Sequence, residues 1–158
     1  MKTKLLTYGL KYGIALGLIN SLIIYVTNIV IADNNPDNGG LTVLWLVIMT
    51  AVFYLVGYRT TSSGASVKTS ASAAALAAFI TLSLSLLAFG IIDNLFLDIV
   101  GQQYDKLTAL KASGSTDMRA FINDNLIRGY LISAPFVIIG GYLAGTFGSG
   151  LSVKRKRT

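Results

Sequence analysis

"AAALAAFITLSLSLLAFGIIDNLFLD", residues Ala73–Asp98, decides the fold class. Its first part, Ala73–Ile92, carries no charge. At 1.5 Å per residue that part makes a helix of about 30 Å, the thickness of a bilayer's hydrocarbon core. The run then ends in an acid and an amide, Asp93 and Asn94. Two readings stay open for Asp93. It marks the membrane boundary, where a carboxylate reaches water at little cost, or it is an ion or proton site within the span, where a charge is expensive and kept for a purpose.

Three further spans match this one: residues 12–32, 41–58 and 129–147, each about 18 to 21 residues without a charge. The 158-residue chain is 53% hydrophobic and only 13% charged, with mean hydropathy +0.64. That balance is more apolar than a soluble domain of this size needs, and it points to lipid as the solvent. The expected fold is all-α, a single integral membrane four-helix bundle. The start "MKTKLL", with an apolar stretch running to "VIA", has the outline of a secretory signal. The stretch exceeds the usual signal core of about 7 to 15 residues and contains Asn20 and Asn28, so a retained anchor is expected.

Charge orients the bundle. Lys2, Lys4, Lys11, Arg59, Lys68, Lys154, Arg155, Lys156 and Arg157 fall on one side, and Lys106, Lys111, Arg119 and Arg128 on the other. By the positive-inside rule both termini are expected to be cytoplasmic, N-in and C-in. The seven Asp residues lie on or toward the opposite face, and "DNNPDNGG" reads as the short outer turn between the first two spans. The chain has no Cys, no His and no Glu. Thiolate and imidazole metal sites, disulfides and histidine-activated nucleophiles are therefore excluded. No enzyme activity and no cofactor are expected.

Small residues indicate packing. Gly13, Gly17 and Ser21 recur every four residues in the first span, as do Gly141, Gly145 and Ser149, and Gly140, Ala144 and Gly148, in the last. Such spacing lets helix backbones approach in lipid. The first and last spans are expected to make the tightest contact. Asn20 and Asn28 need hydrogen-bond partners if buried between helices, and Pro135 is expected to kink the last helix.

Residues 98–128 form the one sizeable segment outside the spans, and it divides at "ASGST". Val100, Tyr104, Leu107 and Leu110 before the break, and Met118, Phe121, Ile122 and Leu126 after it, follow helical spacing. A short extracytoplasmic helical hairpin is expected, with Ser115 or Thr116 as the second helix cap and Asp117 in its first turn. Its apolar stripe is covered by mutual packing, by the lipid surface or by a partner protein. At the C-terminus Lys154, Arg155, Lys156 and Arg157 suit anionic lipid headgroups. Nothing supports nucleic-acid binding, since no aromatic platform accompanies the charge.

The opening "LKYGIALGLI", the four spans, the segment "YDKLTALKASGSTDMRAFINDN", the glycine-rich last helix and the basic tail together resemble the DUF4199 family of bacterial membrane proteins. The resemblance implies a bacterial plasma (inner) membrane location. It supplies no catalytic residues, because the family is one of unknown function. The leading expectation is a non-catalytic accessory or assembly component of a membrane complex, with a membrane-protein partner or a second copy of itself. The alternative is a small transporter or channel whose polar route is lined by Asn20, Asn28, Asp93 and Asn94.

Overall fold

The computed structural model describes residues 2–31 and 39–155. Among them are α1 (Lys2–Tyr25), prolonged by a π-helical turn (Val26–Val30), then α2 (Gly39–Ser62), α3 (Val67–Leu95), α4 (Leu97–Val100), α5 (Tyr104–Ser113) and α6 (Met118–Arg155). No strand occurs among the described residues. Four helices, over Thr3–Val30, Thr42–Ser62, Val67–Leu95 and Met118–Arg155, are long and apolar enough to cross a membrane. Large apolar side chains such as Leu22, Val43, Phe136 and Phe147 face outward along them. In water that surface would drive aggregation; in a bilayer it is the face that lipid covers.

Each long helix overruns its charge-free stretch. Hydropathy marks what lipid tolerates, whereas the hydrogen-bond ladder continues until a cap or breaker stops it. Ser66 caps α3, accepting the Thr69 amide at 3.2 Å, after a turn whose Gly64 has φ +90°. Gly114, at φ +72°, ends α5 within the "ASGST" break. The cap of α6 is Asp117, whose Oδ1 accepts the Ala120 amide at 3.0 Å. This corrects the expected Ser115 or Thr116 cap. A carboxylate there both accepts the hydrogen bond and complements the helix dipole. Pro135 lies inside an uninterrupted α6. Asp33, Asp37 and most of the "DNNPDNGG" turn, with Lys156 and Arg157, lie outside the described residues.

The packing order corrects the expected pairing of the first and last spans. The long α3 is the centre: α1 lies along it, α6 lies on it too, and α2 packs chiefly on α6. The reason is the alanine surface of α3. Ala73, Ala74, Ala77 and Ala78 have no exposed surface and present a shallow face to both neighbours. A Cβ at Gly13 would stand 2.9 Å from the Ala77 carbonyl oxygen, and one at Gly17 would stand 2.6 Å from Leu84 Cδ1. The glycines of α6 meet α3 and α2 instead. Gly141 faces Ala78, Gly145 faces Ala74, and the backbones of Gly57 and Gly145 lie against each other.

Hydroxyls staple the end of the bundle where α1 begins and α6 ends. Thr61 donates to Ser70 at 2.7 Å, Ser62 and Ser152 are 2.9 Å apart, and Ser149 donates to the Gly57 carbonyl at 3.3 Å. The Lys4 ammonium donates to the Ser63 carbonyl, and Arg155 donates to the Tyr58 hydroxyl at 3.2 Å.

Candidate functional site

At the opposite end, α4 packs against α3 and the π-helical turn, and α5 touches the start of α6. The π-helical turn that ends α1 is closed by the Ile31 amide donating to the Val26 carbonyl at 2.9 Å. Such turns widen a helix locally and recur at functional sites. The buried Gln103, between α4 and α5, donates from Nε2 to the Asn28 carbonyl of this turn at 2.9 Å. Tyr25 and Phe96 meet edge to face, centroids 6.1 Å apart. These contacts fasten the end of α1 to the end of α3.

One turn before Phe96, Asp93 has 0% of its surface exposed. Neither of its carboxylate oxygens has a hydrogen-bond partner. Ile92, Val100 and Ile122 are buried at the same end of the bundle, and the charges that act on Asp93 are Lys106 and Asp105 of α5. This is the unusual chemistry of the molecule. A buried carboxylate ordinarily accepts two or more hydrogen bonds or faces a cation directly.

The amides singled out by the sequence contrast with it. Asn94 donates to Asn123 Oδ1 and to the Gly90 carbonyl, both at 2.8 Å, and Asn123 returns a bond to Asn94 at 3.3 Å. Asn20 donates to the Ser85 hydroxyl at 2.5 Å, and Ser85 donates to the Thr81 carbonyl at 2.8 Å. A groove of about 190 Å³ between α3 and α6 reaches the same Ser85 and is lined also by Phe89, Asn125, Tyr130 and Ser133. The Tyr130 and Ser83 hydroxyls lie 3.2 Å apart. Polar side chains thus run from Asn125 at the groove to Asn20 on α1.

The small-residue positions divide. Gly13, Gly17, Gly141, Gly145 and Gly148 sit at helix contacts with Ala144 buried beside them, whereas Gly140 has open space where a Cβ would be. Ser21 bonds its own helix at the Gly17 carbonyl, 2.8 Å away. Gln103, Ser85 and Asn123 were not marked by the sequence. Each lies in a stretch with no distinguishing local pattern, and its partner is 29 to 75 residues away where a hydrogen bond defines it.

Comparison with protein-family models, curated proteins and solved structures finds no match.

Proposed function

We propose that this protein is a multi-pass, non-catalytic component of the bacterial plasma membrane with both termini cytoplasmic, and that it transports a small monovalent cation. The observation that carries the reading is Asp93, a carboxylate near the end of a membrane-length helix with no exposure and no partner. A chain that gains nothing structural from such a group keeps it for binding. Asn20, Ser85 and Asn125 add polar groups between the helices, and the resemblance to the DUF4199 family accords with the location.

The test is purified protein in vesicles under an imposed potential, reading entry of H⁺, Na⁺ and K⁺ with ion-selective dyes. Entry of one ion above that in empty vesicles, reduced to background by Asp93→Asn, is the expected result. Equal entry of all three with wild type, variant and empty vesicles would remove the transport reading.

A second reading, an accessory or assembly component, is favoured by α5. That helix buries none of its side chains, and Tyr104 and Leu107 are 60% and 38% exposed. The part of the expected apolar stripe that lies on α5, Tyr104 and Leu107, is therefore uncovered within the chain, whereas Val100 and Ile122 are buried. Native mass spectrometry after gentle extraction tests it: a partner at fixed stoichiometry supports this reading, and a lone monomer opposes it.

A further inference from the structure

We propose that Asp93 is a proton-binding site closed over by α4 and the Gln103 turn that follows it, and that release of its proton opens this cap. The inference rests on the transport reading and names its ion. An ionised carboxylate only accepts hydrogen bonds, and here neither oxygen receives one. The neutral acid removes the charge that would otherwise be buried unpaired. A metal cation is a poorer occupant. Hard cations take about six or more oxygens, and no three acids cluster among the described residues. A proton needs neither a coordination shell nor space, which suits a side chain with no exposed surface.

The cap is built to move. Its helix, α4, has only four residues, and α5 beyond it buries none of its side chains. In α4 only Val100 is buried, with Gln103 after it, and a segment held by so few buried side chains opens at smaller free-energy cost than the long helices. The hydroxyl pairs Thr61 with Ser70 and Ser62 with Ser152 hold the far end together, so opening is confined to the capped end. Of the charged and titratable groups on the surrounding elements, Lys106 and Asp105 of α5 act on Asp93 through charge. Asp98 of α4 is exposed, Tyr25 of α1 sits against Phe96, and Arg119 and Asp124 at the start of α6 are exposed. When the cap lifts, water enters, the Asp93 carboxyl gives its proton to that water, and the carboxylate left behind is hydrated.

The natural absence of cysteine allows a direct test. Val100 has no exposed surface and lies in α4. Val100→Cys is labelled with a maleimide in the full-length protein, and its rate is divided by that of Thr108→Cys on exposed α5, which cancels the pH dependence of the thiol. The ratio is expected to rise with pH by up to about tenfold per unit, the limit for one proton per opening, and to be flat when Asp93→Asn is added. A flat ratio in the Asp93 protein, or an unchanged rise with Asp93→Asn, overturns the proposal. Ile122→Cys, buried at the start of α6, replaces Val100→Cys if that variant does not fold. Labelling needs no ion flux, so a vesicle assay without transport would overturn the function and leave the proton site separately decided.

Discussion

Gly145 on α6 lies so close to Ala74 on α3 that a Cβ added to the glycine would stand 2.5 Å from the alanine's own. On its other side the Gly145 backbone lies against Gly57 of α2. Three helices therefore meet at one position that has no room for a side chain. Without a hydrophobic drive between helices in lipid, this contact area is what holds them together. Gly145→Val is expected to lower stability by about 1–3 kcal/mol or more through overpacking. Gly140→Val, where nothing lies within 4 Å, serves as the control and is expected to change little. Unfolding in detergent, followed by the fluorescence of the single Trp45, separates them. Equal losses at the two positions would mean that α6 does not pack through Gly145.

Asn20 and Ser85 form a second link between α1 and α3. Ser85→Ala and Asn20→Leu are each expected to reduce stability, and the double variant to cost less than their sum. The coupling should fall between about 0.6 and 2 kcal/mol, the range for hydrogen bonds between membrane helices. A double-mutant cycle measures it. Additive losses would show that the pair is not bonded.

The sequence made the helices legible because membrane thickness imposes a length and a charge-free composition on each one. Ala73–Ile92 could be read as a span from its residues alone. Partner choice was less legible. Gly13 and Gly141 carry the same signal of close approach, and nothing in either sequence says that both seek the alanine face of α3. The acid near the end of Ala73–Asp98 was visible as unusual, but its burial is set by elements distant in sequence that pack on α3, and no local pattern announces them. Local hydropathy placed Asp93 at a boundary, and tertiary structure covered it.

Orientation is testable with the same cysteine-free background. Thr108→Cys, on α5, should react with a membrane-impermeant maleimide added to intact spheroplasts. Ser63→Cys, in the α2 to α3 turn beside Lys4, should react only after permeabilisation. On the four-span reading of the sequence the thirteen basic residues divide nine to four between the two sides, and the positive-inside rule then assigns the richer side to the cytoplasm. The reverse labelling pattern would invert the topology and place the Asp93 end at the cytoplasmic face.

Asp93→Leu separates stability from function. A buried polar group without a hydrogen bond costs about 1–3 kcal/mol, and more when it is charged. The native chain carries that cost at Asp93, since both oxygens are unpartnered. Leucine is similar in length, needs no partner and suits an end of the bundle where Ile92, Val100 and Ile122 are also buried. The variant is therefore expected to unfold at a higher temperature than the native protein while losing ion entry in vesicles. Sites kept for function commonly show this opposition, because the group that binds is one the fold would be more stable without. The two measurements must be made on the same preparation. If Asp93→Leu is less stable than the native chain, the carboxylate has a structural partner, and its burial no longer argues for an ion site.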